Sequence, residues 1–356
     1  MYINGELKYD LPVNMQPEWD HLFKPDFAYK KVHLKVKEIK NAFVNHYGLV
    51  IKNGLLVKGC APNLGFSGYD ENVYYKHWRK AIEQNLVCKY GKSIPSIKLD
   101  DNNNYLLIHS PWFSYYFWIT ECIPRLLMVK DELKNLILIY PQDWGNLSFV
   151  NETLELFPEL RIEVIPRDYH LFVKNLVMPE VKPWTPMFIP EMVFETRDLL
   201  LGELKKKNIK NVLGENIYIS RKQAQRRKFT DESAVEKFFE KEQFESVPME
   251  NYSFFQQIAI MQNAKNVAAM TGAGLINLLF KQEGGSFLDI TNREYINKSQ
   301  YKFHYYKLCN VLNIKYGVAF CDHENSPLAD HYSNQNLIFD KNLVSENLKL
   351  LLDYDK

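Results

Sequence analysis

The sequence predicts an α/β protein of two Rossmann-like domains facing a cleft, and three observations predict it. Short apolar strand candidates alternate with amphipathic helices from Asp100 onward, the alternation repeats more cleanly after Gly214, and the Pro-rich segment VKPWTPMFIP (181–190) separates the two runs. Strand–helix–strand order implies a parallel sheet with helices on its faces. At about 150 residues per domain, 356 residues make two domains rather than one.

The start of the chain reads as β-rich. Apolar and polar residues alternate in VHLKVKEI, and Asn53-Gly54 lies between GLVIK and LLVKG, a hairpin signal because both turn positions tolerate positive φ. The Gly- and Asn-rich stretch Ala61 to Asp70 reads as a loop, and Tyr75 to Val87 as a helix. From Asp100, YLLIH is a strand, Tyr116 to Leu133 a helix, NLILIY a buried strand, Leu147 to Phe157 a helix and IEVIP a strand, with further short strands between Leu171 and Pro179. Three prolines exclude VKPWTPMFIP from a helix interior and make it a linker, after which Glu191 to Lys207 is helical.

In the second run, ENIYIS is a strand, and Ser233 and Glu236 have capping-box spacing at the head of a helix whose Val235, Phe238 and Phe239 share a face. Phe244 to Val247 is a short strand, and Ser253 with Gln256 repeats the capping box ahead of another helix. There follow NVAAM (strand), Gly274 to Phe280 (helix), SFLDI (strand), Tyr301 to Leu312 (helix) and IKYGVAF (strand), with a last amphipathic helix from Leu343 to Leu352. The expected division is 1–190 for an N-terminal domain, 191–340 for a C-terminal domain and 341–356 for a C-terminal helix.

Composition narrows the function classes. Forty-four basic against 43 acidic residues leave a net charge of +1, too little to draw the whole protein to nucleic acid or anionic lipid, so any anion-binding surface is local. The five cysteines (Cys60, Cys88, Cys122, Cys309, Cys321) are odd in number and widely spaced, which fits reduced thiols in a cytosol. MYINGELKYDLPVN has no basic segment followed by an apolar stretch, so no secretory signal is expected. The longest apolar region, Pro111 to Val129, is broken by Glu121, Pro124 and Arg125 and makes a poor membrane span. Aromatic residues are 14% of the chain; they could stack on sugars and nucleobases, fill the core, or reflect codon bias.

Three segments could carry chemistry. In YISRKQAQRRKFTDE a strand ends at Ser220, and Arg221, Lys222, Arg226, Arg227 and Lys228 fall in the loop before a helix. Ligands of α/β sheets bind beyond the carboxyl ends of strands, and arginine forks suit phosphate oxygens; a solvated basic loop or a nucleic-acid patch is the alternative. In NVAAMTGAGLINLLF, Thr271-Gly272-Ala273-Gly274 stands between strand and helix, where small residues let the backbone approach a diphosphate, although glycines also end strands for packing reasons. In SPWFSYYFWITECIPRLLMVK, helical spacing puts Trp118, Glu121 and Arg125 on one face. They could bind a sugar and remove a hydroxyl proton, or form an i,i+4 ion pair beside a core tryptophan. Cys321, His323 and His331 lack a fourth ligand, and Asp353 with Asp355 lies at a fraying terminus, so no metal site is expected. No G-x-S-x-G, H-E-x-x-H or Walker sequence occurs.

Taken in order, the segments resemble glycosyltransferase family 61, also described as capsular polysaccharide biosynthesis proteins, in its bacterial members. The matching positions are Phe117-Trp118, Glu121 and Pro124-Arg125; Ile219-Ser220-Arg221, Ala224, Arg227 and Asp231-Glu232; Ser253 and Gln256-Gln257; and Thr271-Gly272-Ala273-Gly274-Leu275, Asn277 and Phe280. YYKLCNVLNIKY and the final helix extend the likeness. The chain departs from the family at Phe117 and Thr271, where the pattern has histidines, and at Asp231, where it has asparagine.

The resemblance implies a GT-B-like fold, an acceptor-side N-terminal domain, a C-terminal domain that binds most of the nucleotide-sugar, and transfer with inversion. Ser220, Arg221, Arg227, Thr271, Gly272, Ala273, Gly274 and Asn277 would hold the diphosphate in place of a metal, Glu121 would deprotonate the acceptor hydroxyl, and Arg125 would orient it. Trp118, Glu250 and Gln257 would support them. No cofactor and no metal are expected. The partners would be a nucleotide-sugar donor and a glycan or lipid-linked glycan acceptor of capsule or lipopolysaccharide type, not nucleic acid. The place would be cytoplasmic, with peripheral attachment to the inner membrane face left open. The alternative is an inactive member that binds nucleotide or glycan as an assembly partner.

Overall fold

The computed structural model describes residues 2–3, 6–24, 28–57, 59–60, 95–111, 114–167, 169–182, 187–211, 213–297, 303–324 and 335–353. The expected loop at 61–70 and helix at 75–87 lie outside these residues, as do Cys88, His331, Asp355 and 183–186 of the Pro-rich segment. The chain forms two compact units. One is Val32–Thr196; the other joins Met1–Lys31 to Arg197–Lys356. The boundary therefore falls inside a helix rather than at 190, and the first 31 residues group with the C-terminal part of the chain.

That grouping has a physical cause. After β1 (Tyr2–Ile3) and β2 (Glu6–Lys8), which form a small antiparallel sheet with β3 (Ala28–Lys30), the chain runs along the last strand of the C-terminal sheet. Val13 N–H donates to Tyr316 O (2.8 Å), and the Asn14 amide both accepts from Val318 N–H (3.1 Å) and donates to Val318 O (2.6 Å). An edge strand is thereby covered. Trp19 packs edge-on against Phe320, and Phe23, at the end of α1 (Asp20–Phe23), stacks on Phe303. Part of the aromatic excess is this packing.

In the unit Val32–Thr196, β4 (Val36–Asn45) leads into the hairpin β5 (Val50–Lys52) and β6 (Leu55–Leu56). Its turn is the expected Asn53-Gly54, both at positive φ (52° and 76°). Then come β7 (Ser96–Lys98), β8 (Asn104–Leu106), the helical stretch α2 (Tyr115–Phe117), a π-helical turn (Trp118–Cys122) and α3 (Ile123–Leu127), β9 (Leu136–Pro141), α4 (Ser148–Leu154), β10 (Arg161–Ile165) and β11 (His170–Pro179). The sheet runs β10-β9-β8-β11-β4-β5-β6, with β7 also beside β11; β10, β9, β8 and β11 are parallel, and β4 to β6 antiparallel. Leu171–Pro179 is one long strand, not several, because β4 pairs along one side and β7 and β8 share the other. Val44, Leu107, Ile139, Leu171 and Met178 form the core.

The helix α5 (Pro190–Lys207) leads into β12 (Asn216–Ile219), α6 (Glu232–Lys241), β13 (Glu245–Val247), α7 (Phe254–Asn263) and β14 (Asn266–Met270). A 3₁₀ run (Ala273–Phe280), β15 (Ser286–Asn292), α8 (His304–Val311), β16 (Lys315–Cys321) and α9 (Lys341–Asp353) complete the unit. Its five strands are all parallel in the order β13-β12-β14-β15-β16. Tyr218, Phe229, Val235, Phe239, Leu288 and Leu348 meet in its core.

Local signals were realised unevenly. Ser253 and Gln256 form the expected capping box, but the cap of α6 lies two residues earlier than expected: Asp231 accepts from Ala234 N–H (3.0 Å), while Glu236 accepts from Ser220 Oγ (2.8 Å). The predicted helix Tyr116 to Leu133 is broken into four pieces. Pro124 has no N–H to give and its ring crowds the carbonyl four residues back, which favours the wider turn before it.

Candidate functional site

The strand order fixes where a ligand would bind. From β12 the chain crosses to β13 on one side, then returns to place β14 on the other, so the topological switch point lies between β12 and β14. The two loops singled out from sequence leave these two strands. The loop after β12 begins at Arg221 and is closed by one carboxylate. Glu232 Oε1 accepts from Arg221 N–H (2.9 Å) and Tyr218 O–H (2.6 Å), and its Oε2 accepts from Phe229 N–H (3.1 Å). Both feet of the basic loop thus rest on Glu232. Burial first, then the Glu232 charge, pushes the Tyr218 hydroxyl well up, so it stays a donor.

Within the loop, Arg221 Nε donates to Arg227 O and its Nη2 to Arg226 O (3.1 Å). Arg227 takes a left-handed φ of 55°, which turns its carbonyl inward. The remaining fork nitrogen, Arg221 Nη1, lies against Gly272: a Cβ there would stand 2.5 Å from it. Gly272 has an extended φ of −169°, so glycine is required by close approach and not by backbone strain. Tyr305 O–H donates to Gly272 O (2.6 Å) from the other side. Burial, then the Arg227 charge, holds Arg221 below its usual pKa, with Glu250 and Glu232 opposing; a guanidinium remains charged at neutral pH. Arg227 Nε is buried with no hydrogen-bond partner among the described residues. The first N–H groups of the run from Ala273 have no partner within it, and they follow this pair of arginines.

Thr271 has a different part from the expected one. Its N–H donates to Ile290 O (3.0 Å) and its hydroxyl to Asp289 Oδ1 (2.5 Å), so neither is left to donate to a phosphate. Tyr316 O–H holds the other oxygen of Asp289 at 2.9 Å. Burial pushes the Asp289 carboxyl up from 3.8 to about 6 against these two hydrogen bonds. The folded protein holds this proton more tightly than the unfolded chain, so the stability it contributes is full below pH 4 and lost as pH rises through 6. That difference is worth roughly 3 kcal/mol. Asp289→Asn should remove it: between pH 4.5 and 7.5 the urea midpoint of the native protein should fall relative to the variant's. Parallel pH profiles would show that Asp289 titrates normally.

Asn277 and Gln257 lie behind the loop. Asn277 Nδ2 donates to Gln257 Oε1 (3.0 Å), and Gln257 Nε2 to Met249 O and Tyr252 O (both 3.0 Å), tying the 3₁₀ run to the chain after β13.

The other unit has its own switch point, between β8 and β11. Arg125 fills it: Nε donates to Pro179 O (2.8 Å), Nη2 to Leu107 O (3.1 Å) and Nη1 to Ile108 O. Only 2% exposed, its guanidinium is committed to the backbone at the ends of both strands. Arg125→Met would strip three buried carbonyls of their donor and should cost on the order of 3 kcal/mol or more, read as a lower denaturation midpoint. An unchanged midpoint would refute the strut. Trp118 is a core residue: its Nε1 donates to Thr153 Oγ1 (2.8 Å) and its ring meets Trp144 edge-on.

Glu121, 3% exposed, makes no ion pair with Arg125 in the described structure; it accepts from Ser110 Oγ at Oε2 (3.1 Å). Its Oε1 is buried and has no partner among the described residues. Burial pushes this carboxyl up, opposed first by the Lys182 charge, then by Arg125 and Ser110. Lys182 is itself pushed down to about 8 by burial; its Nζ donates to Met187 O (2.9 Å) and lies over the rings of Tyr116 and Phe188. Sequence reasoning passed over Lys182, Ser110 and Asp289. A lysine in a Pro-rich segment reads as solvated, and the pairing of Asp289 with Thr271 joins residues 18 apart.

Among the described residues no cluster of three His, Cys, Asp or Glu could hold a metal ion, and no helix is long and apolar enough to cross a membrane. A parallel unit whose switch point gathers arginines and a glycine loop belongs to the Rossmann-like α/β class. Residues 115–288, a span that takes in Glu121, Arg221, Arg227 and Gly272, match the family model Glycosyltransferase 61. That match supports glycosyl transfer as the general activity. No curated protein matches the sequence.

Proposed function

We propose that the protein is an inverting glycosyltransferase that needs no metal and moves a sugar from a nucleotide-sugar to a hydroxyl of a growing surface glycan. One observation carries the donor assignment: the Arg221 fork lies against Gly272 at the switch point of the parallel sheet. Arg221 and Arg227 would neutralise the diphosphate as it leaves, with the N–H groups from Ala273 and Gly274 beside them. Ser220, Thr271, Gln257 and Asn277 position this loop pair rather than touch the ligand. Glu121 is the proposed base, its Oε1, which has no partner among the described residues, the atom that would take the acceptor's proton, and Arg125 holds the strand ends. Donor and acceptor binding are thus assigned to different α/β units, the division of labour of a GT-B enzyme. Single displacement needs no protein nucleophile.

A second reading, a member that binds nucleotide without transferring sugar, is favoured by the burial of Glu121 and by Phe117 and Thr271 standing where the family pattern has histidines. A thermal-shift series with UDP, GDP, CMP and TDP tests the donor site. A nucleotide at about 100 times its Kd should stabilise the fold by roughly 2.7 kcal/mol. No shift with any of them would end the donor assignment, and binding without turnover across acceptors would favour the second reading.

A further inference from the structure

Most sheet edges in this chain are short or covered. The segment through Val13 and Asn14 covers β16, β6 and β13 are two and three residues long, and no strand of the small sheet β1 to β3 exceeds three. β10 is the exception. It ends the order β10-β9-β8-β11-β4-β5-β6, runs five residues, and has no strand on its outer side among the described residues. Free edges are ordinarily blunted by lysine, proline or a bulge. RIEVI has none of these, and it pairs without interruption along β9 from Arg161 to Ile165.

Side chains along β10 alternate between faces. Ile162 and Val164 share one face, 48% and 47% exposed, although their neighbours on β9, Leu138 and Tyr140, are buried. The apolar layer therefore reaches the edge and stops there uncovered. Arg161 and Glu163 share the other face and make no ion pair or side-chain hydrogen bond among the described residues. Apolar side chains and opposite charges on a free edge are what an added strand would meet, and their spacing says which strand fits. Two copies of β10 set antiparallel with Ile162 opposite Ile162 place Arg161 of each opposite Glu163 of the other, and Val164 opposite Leu160, the residue just ahead of the strand. Centring the pair on Glu163 would oppose two carboxylates, and centring it on Arg161 two guanidiniums. The edge is thus complementary to itself in one register, and a two-fold axis closes the assembly at two copies.

We infer that β10 is the interface of a homodimer in which two copies of the sheet join edge to edge. Five residues make a small contact, so the dimer should dissociate on dilution. The test is sedimentation equilibrium of the full chain from micromolar to sub-millimolar concentration, with circular dichroism to show that each variant folds. The native protein should pass from monomer to dimer and stop there. Ile162→Lys, which sets two like charges face to face, should abolish the dimer. Arg161→Glu and Glu163→Arg should each weaken it about 10-fold or more, because both cross-strand ion pairs become repulsive. An equimolar mixture of these two variants should form a one-to-one heterodimer, and the double exchange in one chain should restore the homodimer. A native protein that stays monomeric, a dimer indifferent to these substitutions, single variants whose mixture fails to associate, or growth beyond two copies would overturn the interface.

Discussion

Replacing Arg221 by alanine should lower glycosyl transfer by about 10²- to 10³-fold, the loss typical of removing one donor that stabilises charge developing in a transition state. It is the larger of the two arginine effects because Arg221 alone joins both loops. Its backbone rests on Glu232, two of its fork nitrogens hold the carbonyls of Arg226 and Arg227, and the third lies against Gly272. Lysine at this position keeps the charge but not the fork, so Arg221→Lys should recover only part of the activity. The opposite perturbation is Gly272→Ala. Its new Cβ would occupy the space of Nη1, and the pinned guanidinium must move off the site. Both variants should weaken nucleotide binding and transfer together while the denaturation midpoint stays close to native, because Arg221 lies in the loop beyond the carboxyl end of β12 and not in the apolar core. Native activity in Arg221→Ala would refute the leaving-group assignment.

The parts of this site that were legible in the sequence are those that local chain geometry determines. A basic run directly after an apolar strand, and a Gly-Ala-Gly turn after another, announce strand ends whatever the fold around them. The order of strands is not local, and it is what turns two such loops into neighbours. Strands β12 and β14, 50 residues apart in sequence at their paired Asn216 and Asn266, become neighbours only because the chain goes first to β13 on one side and then back, about which periodicity is silent. The helix Tyr116 to Leu133 shows the converse. Its apolar pattern was clear, but Pro124 and the π turn shift the register, so the shared face of Trp118, Glu121 and Arg125 dissolves: each meets a different partner, Thr153, Ser110 and three carbonyls. Residues that act through distant partners, such as Lys182 and Asp289, left no local mark. The N-terminal segment was hidden for the same reason, since its β character does not say which sheet edge it covers.

Glu121→Gln should separate catalysis from stability in opposite directions. If Glu121 is the base, the amide abolishes proton acceptance, and transfer falls by about 10²- to 10⁴-fold with donor affinity unchanged. Stability moves the other way. Burial holds the folded carboxyl above its ordinary pKa, so its stabilising contribution is complete below pH 4.5 and is lost as pH rises through the raised value, where the fold must keep a charge that burial disfavours. Glutamine keeps an oxygen to accept from Ser110 and carries no charge at any pH. The variant should therefore be more stable than the native protein at neutral pH and equally stable in acid. In the native enzyme the ionised base is needed, so activity should rise with pH over the range in which stability falls. That opposition is the mark of a carboxylate kept for function at the expense of the fold. A glutamine variant that gains stability and keeps full activity would identify Glu121 as a buried structural group and move the search for the base elsewhere. One that loses activity and gains stability would assign the proton transfer to the Oε1 that has no partner among the described residues.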